Sequence, residues 1–218
     1  MSEIILMSDA RVAAVPVEAN GEPLVDVRPA PLVDDRTHKD SHGAEVHLRQ
    51  GVLDRLLAAQ AQLPDGLRLP FVEGYRPPAL QRHYFERYAA ELRAPHPQWP
   101  ADSILTAASR YVSPPEVAPH SAGAAVDLTL ADAAGRELDL GTPMNADPEQ
   151  SDGACCTDAI GITAEARAHR AVLGEALGAA GLVNYPTEWS HWSYGDRYWA
   201  LATGAPAAVY GPTGLDNS

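Results

Sequence analysis

From residue 48 onward, apolar residues recur at helical spacing. Leu48, Val52, Leu53, Leu56, Leu57 and Leu63 fall on one face, and Pro64 with Gly66 marks a stop. The spacing predicts a helix over 48–63. A second helix is predicted from Pro77–Pro78 through ALQRHYFERYAAELR, with Leu80, Tyr84, Tyr88 and Leu92 as its apolar stripe. A Pro-rich stretch (95–100) precedes a short predicted helix near 101–110. A fourth helix is predicted over 163–181, with Thr163 as N-cap and Gly181 just past the end.

Between the helices the pattern changes to strand. LRLPFVEG (67–74) reads as a strand that Pro70 confines to an edge or an irregularity. GAAVDLTL (123–130) reads as a buried strand, and the turn at 133–135 suggests that RELDLG (136–141) returns beside it as a hairpin. LVNYPTEWSHWSYG (182–195) and RYWALATG (197–204) read as strands or strand-like. Within residues 1–44, IILM and AAVPV could be edge strands in a partly irregular segment, 36–43 reads as loop, and 142–160 is irregular. Helices and hairpin-like strands mix without regular βαβ alternation. The expected class is α+β, one compact domain over 1–218.

The length of 218 residues suits one domain with a filled core. A formal net charge of −13 argues against a phosphate-binding surface, so nucleic acid is not an expected partner. No run approaches the ~20 apolar residues that span a bilayer, so no membrane partner is expected. The start, MSEIILMSDARV, lacks the basic region, long apolar core and cleavage site of a signal peptide, and the expected location is cytoplasmic. The two cysteines, Cys155 and Cys156, are adjacent. They cannot staple distant elements and read as reduced thiols in a loop.

One residue breaks the pattern. Asp127 lies between Val126 and Leu128, and a buried carboxylate needs a cation or several donors. His120 precedes it by seven residues; Glu188-Trp-Ser-His191 and Glu73-Gly-Tyr-Arg76-Pro lie elsewhere. Two imidazoles and a carboxylate make a catalytic zinc shell with one open position. Hydrolysis there needs a base beside the site and a fixed positive charge for the developing oxyanion. Singly, each residue has a plainer reading. His120 could be a hydrogen-bonded histidine and Asp127 a cap. Glu188 and His191 could be polar positions between core tryptophans, and Arg76 a surface ion pair. His38, His42 and His47 read as a polar loop rather than a metal site, and the aromatic run Trp189–Trp199 as core or cleft packing.

The combination and its order resemble the D-alanyl-D-alanine dipeptidases, zinc D,D-peptidases of the vancomycin-resistance type. EGYRPP (73–78), HSAGAAVDLTL (120–130) and EWSHW (188–192) match the family's GYRP, SxHxxGxAxDLT and ExxH segments. Weaker similarity spans about 45–200. The resemblance implies one Zn2+ held by His120, Asp127 and His191. It implies Glu188 as general base and then acid, and Arg76 as the group that stabilises the tetrahedral intermediate. It also implies the family's Hedgehog/D,D-peptidase-like fold, an antiparallel sheet flanked by helices with a zinc cleft. The implied reaction is hydrolysis of a small D,D-dipeptide such as D-alanyl-D-alanine. A D,D-carboxypeptidase of cell-wall peptides and a non-catalytic zinc-binding protein are the alternatives.

Two expectations follow from geometry. Glu188 and His191 are separated by an odd number of residues, so a regular strand would send them to opposite faces; a bulge, turn or strand end is predicted within 188–191. His120 is predicted on a loop ahead of the strand that carries Asp127. One segment departs from the family. Where the dipeptidases carry Gly-Ser/Thr-x-Phe-Asp, with the Asp implicated in holding the substrate ammonium, this chain reads GTPMNADPEQ (141–150). That puts Asn145 at the place of the Asp, with Asp147 two residues on as a possible substitute. The expected consequence is weaker discrimination for a free amino terminus. Ala118-Pro119 likewise replaces serines common before the first ligand.

Overall fold

The computed structural model describes residues 4–32 and 43–215. In chain order the elements are α1 (Ala10–Ala14), β1 (Leu24–Asp26), β2 (His47–Arg49), α2 (Gln50–Gln62), β3 (Phe71–Glu73), α3 (Pro78–Arg93), α4 (Ala101–Ala108), β4 (Ala125–Leu128), α5 (Ala164–Ala179), β5 (Val183–Asn184), β6 (His191–Ser193) and α6 (Arg197–Thr203). Single 3-10 turns cover Ala44–Val46 and His120–Ala122. A four-stranded antiparallel sheet has the order β3-β4-β6-β5, and β1 pairs with β2 in a second, two-stranded one. The class is α+β, as expected.

Strand alternation gives the main sheet two different faces. Phe71, Val126, Leu128 and Trp192 join the principal core with Leu53 and Leu56 of α2 and Leu173 and Leu177 of α5. On the other face, Glu73 of β3, Asp127 of β4 and His191 of β6 stand directly opposite one another in register. Asp127 thus sits in an apolar run because its two neighbours serve the core and it does not. A smaller cluster joins α3 and α4 through Tyr88, Leu92, Ile104 and Ala108.

The four predicted helices form, with ends shifted by local chemistry. Leu48 belongs to β2 rather than to the helix face, and Leu57 of α2 is exposed. Thr163 caps α5 by accepting from the Ala166 N–H at 3.0 Å, and Gly181 adopts a left-handed φ of 87° just past its end. Several strand expectations fail. RYWALATG is a helix: Asp196 accepts from the Tyr198 N–H at 2.9 Å as N-cap, and Gly204 closes the end at φ 73°. Those two cap residues were the readable signal. IILM forms no strand, and AAVPV begins inside α1 and ends in a single bridge from Val17 to Ala208. The hairpin over 123–141 shrinks to an isolated bridge between Ala131 and Glu137. His38 and His42 lie outside the described residues. His47 is in β2, its Nδ1 3.0 Å from the Gly43 carbonyl.

The irregular stretch after β4 is held by one buried side chain. Arg170 of α5 donates to the carbonyls of Leu140 (2.7 Å), Ala154 (2.8 Å), Cys156 (2.6 Å) and Thr157 (3.2 Å). A segment without its own ladder needs such partners for its carbonyls. Replacing Arg170 by Met keeps the stem but strands four carbonyls. Stability should fall by about 3 kcal/mol, read as a lower denaturant midpoint at unchanged m-value; an unshifted midpoint would show the clamp to be dispensable.

Candidate metal centre

The row Glu73–Asp127–His191 places two of the candidate ligands side by side, since directly paired residues of an antiparallel sheet share a face. The third arrives from outside the sheet. His120 opens the 3-10 turn before β4, and Gly123 at φ 65° turns the chain into the strand. That left-handed φ favours glycine, and a Cβ there would also have to push aside Leu24 Cδ2, 2.3 Å away. Glu188 lies in the turn that precedes β6, and the His191 N–H donates back to its carbonyl at 3.2 Å. The predicted strand end within 188–191 is therefore present, and His120, predicted on a loop ahead of β4, lies ahead of that strand in a single 3-10 turn.

Donor atoms of His120, Asp127 and His191 all lie within 4.8 Å of one another, and all three residues are buried. His120 Nε2 is 3.3 Å from Asp127 Oδ2 and 3.2 Å from His191 Nδ1, while His191 Nδ1 is 3.0 Å from Asp127 Oδ1. The opposite nitrogen of His120, Nδ1, is 2.6 Å from the Gly74 carbonyl. A carbonyl only accepts, so Nδ1 carries a proton and Nε2 is the nitrogen that meets the carboxylate, across a proton or a metal ion. Nδ1 of His191 faces the same point, and its Nε2 is buried with no partner among the described residues.

Charge follows the same arrangement. Burial works to raise the Asp127 pKa, but His120 and His191 override it and hold the carboxyl well below the ordinary range. Burial lowers the His191 pKa, which keeps this imidazole neutral, the form that ligates a metal. The donor set of two imidazoles and one carboxylate matches a tetrahedral zinc site with an open position. The His120–Gly74 hydrogen bond is the outer-shell contact that fixes such a ligand's tautomer.

A cleft of about 230 Å³ opens onto this group, lined by Arg76, His120, Asp127, Asn145, Glu188 and His191 among others. Six of the seven candidate residues thus meet in one place. Asp147 does not join them: it is buried, and its Oδ1 accepts from the Gln150 N–H at 2.7 Å, as the cap of a tight turn. Asn145 reaches the cleft with a left-handed φ of 64°, a conformation that Asn tolerates better than most residues. Its carbonyl accepts from the Tyr111 hydroxyl at 2.8 Å.

Arg76 is gripped from two sides. Its Nε and Nη2 donate to the two oxygens of Glu73 at 2.7 and 2.8 Å, and its Nη1 donates to Gln81 Oε1 at 2.8 Å. Three of its five N–H groups are used, leaving two for a ligand in the cleft. Burial disfavours its charge, but Glu73 more than offsets this and raises its pKa. Sequence reasoning passed over Glu73, although its place three residues before Arg76 was readable. It also missed Gly74 and Gln81, which act through a backbone carbonyl and a helix position that no motif marks.

The Glu188 carboxylate has no hydrogen-bond partner among the described residues. Burial, followed by the nearby Asp127 charge, pushes its pKa well above the usual value, while Arg76 pulls the other way. A carboxyl whose folded pKa is raised keeps a proton that the unfolded chain has lost. Its contribution to stability is full below the unfolded value and falls as pH rises through the folded one. In metal-free protein, Glu188→Gln should therefore raise the melting temperature at pH 8 by about 2–4 °C, the shift that ~1 kcal/mol produces in a domain of this size. The gain should vanish at pH 4. An equal gain at both pH values would mean that the Glu188 charge is not the cause.

Comparison with known proteins adds three findings. The family described as D-ala-D-ala dipeptidase matches residues 35–204. A D-alanyl-D-alanine dipeptidase of Synechocystis sp. is 26% identical over a 231-residue alignment that covers 86% of this chain and 87% of the relative. Among solved structures, the LdcB LD-carboxypeptidase aligns at 18% identity with a TM-score of 0.43, over 87% of this chain and 77% of that one. The vancomycin resistance D,D-pentapeptidase VanY, in complex with Zn(II), aligns at 18% identity with a TM-score of 0.41, over 84% of this chain and 88% of its own. No helix among the described residues is long and apolar enough to cross a membrane.

Proposed function

Because the chain belongs to the D-Ala-D-Ala dipeptidase family of metallopeptidases, we propose that it hydrolyses a D,D-dipeptide, D-alanyl-D-alanine first among candidates, with one zinc ion per chain. The observation that carries the reading is the inward convergence of His120 Nε2, Asp127 and His191 Nδ1, in one cleft with Glu188 and Arg76. These three side chains would hold the ion, which when bound supplies Lewis-acid charge and brings the pKa of water to about 7.

The remaining chemistry belongs to the chain. Glu188 takes the proton of the attacking water and returns it to the departing amine nitrogen. Its raised pKa suits both halves of that task. Arg76 offers its two free N–H groups to the carbonyl oxygen as negative charge develops there. Glu73 and Gln81 hold the guanidinium in place beforehand, so no reorganisation is needed at the moment of reaction. The His120–Gly74 hydrogen bond keeps the ligand nitrogen aimed inward. Chelation should abolish turnover, and zinc should restore it. Glu188→Gln should retain one zinc per chain while kcat falls by about 10²–10⁴-fold; full turnover in that variant would overturn the mechanism.

Asn145 favours a second reading of the substrate. It lines the cleft where the family's ammonium-binding Asp is expected, and the Asp147 carboxylate is committed to a turn. Asn can accept a hydrogen bond from an ammonium but brings no charge. A D,D-carboxypeptidase-like tolerance of a blocked amino terminus follows. Kinetics on D-Ala-D-Ala beside its N-acetyl form separate the two readings. Comparable kcat/KM for both is expected, and activity confined to the free dipeptide would remove the tolerant reading.

A further inference from the structure

Cys155 and Cys156 take no part in the chemistry above, yet they sit one hydrogen bond away from the segment that carries it. The Trp189 N–H donates to the Cys155 carbonyl at 3.0 Å, directly after Glu188 in the chain. The Thr157 N–H donates to the Pro186 carbonyl at 3.0 Å, and Arg170 holds the carbonyls of Ala154 and Cys156. The two residues differ in access: Cys155 is buried and Cys156 is part-exposed. Their side chains are neighbours in the chain, and the Arg170 guanidinium stands beside Cys156, its Nη1 2.6 Å from the Cys156 carbonyl.

We propose that Cys155 and Cys156 form a vicinal dithiol site for low-molecular-weight disulfides, with Cys156 as the attacking thiol and Cys155 as the resolving one. Access and environment set the order. The neighbouring Cys155 thiol, aided by the charges of Arg110 and Arg170, brings the Cys156 thiol down to about 6, so it is largely thiolate at neutral pH. The Cys156 side chain, with burial, pushes Cys155 up. The Cys156 thiolate attacks one sulfur of the disulfide; that S–S bond breaks, a mixed disulfide forms at Cys156 and one thiolate leaves. Cys155 then gives its proton to water and attacks the Cys156 sulfur, releasing the second thiolate. The two cysteines lose two electrons and two protons, and the reagent becomes two thiols.

The product has a mechanical consequence. Adjacent Cα atoms are ~3.8 Å apart, whereas disulfides usually span about 4.4–6.8 Å. Closing the ring must distort the peptide unit between the two cysteines, whose carbonyl is the acceptor for Trp189. Strain of this kind also makes the bridge easily reduced. Oxidation therefore loosens the turn that places Glu188, and reduction restores it. This regulatory step rests on the proposed peptidase reading; the thiol chemistry does not.

The zinc-loaded protein, reduced and then freed of reductant, is incubated with glutathione disulfide and followed by intact mass and by dipeptide hydrolysis. The wild type should lose two hydrogens without keeping an adduct, and its activity should fall by about tenfold or more, returning with dithiothreitol. Cys155→Ser should stop at one glutathione adduct, and Cys156→Ser should stay unmodified and active. Brief alkylation of the native wild type, mapped by peptide mass, should label Cys156 before Cys155 and needs no variant to fold. An unmodified wild type, an adduct on Cys156→Ser, or faster labelling of Cys155 would overturn the site. The expected mass change with undiminished activity would overturn the coupling to Glu188 alone. Absence of hydrolysis in the reduced protein would count against the peptidase reading while the mass readout still tested the dithiol.

Discussion

The structure turns on one electrostatic constraint: the buried Asp127 carboxylate faces His120 Nε2 at 3.3 Å and His191 Nδ1 at 3.0 Å, and its charge must be met there. Burial leaves little water to meet it instead. The surrounding fold is arranged to keep this contact rather than relieve it. Sheet register fixes Asp127 against His191. The Gly74 carbonyl orients the His120 ring, and Gly123, at a left-handed φ of 65°, shapes the turn by which His120 arrives. The result is three donor groups held within 4.8 Å of one another.

Legibility in the sequence follows from how far each feature depends on distant contacts. The α5 helix was readable to its caps because Thr163 and Gly181 act within a few residues of themselves. Asp127 was readable as an anomaly because an acid inside an apolar run requires explanation from its neighbours alone. The turn at Glu188 followed from strand parity once both residues were assigned to one site. The strands β1 and β2 were missed because each has three residues, and only their mutual pairing makes them strands. RYWALATG was misread because its helix has only seven residues, too few to show an apolar period, and the Asp196 and Gly204 caps went unread. Glu73 was overlooked because its partner, Arg76, has a plausible role without it.

The loop over 141–160 illustrates a different limit. Its shape is set by Arg170 reaching four carbonyls, which no local pattern could announce. Within that shape, Asn145 occupies a left-handed position at the cleft and Asp147 closes a turn behind it. Two acidic-type positions two residues apart therefore have unrelated tasks. The nearest carboxylate in sequence lies outside the cleft lining, with its Oδ1 accepting from a backbone donor.

Charge balance ties the metal site to the base. The cleft is lined by the carboxylates of Glu73, Asp127 and Glu188 and by Arg76, while Arg87 at its rim is ion-paired with Glu91 at 3.6 Å. These three carboxylates and Arg76 sum to −2 when Glu188 is ionised. Burial first, and then the Asp127 charge, raise the pKa of Glu188, while Arg76 opposes them. A dication beside Asp127 would cancel the second of these causes and ease release of that proton. Glu188 would then be free to accept one from water instead. Metal binding and the readiness of the base are on this view one electrostatic event, with Asp127 as the charge through which each is felt by the other.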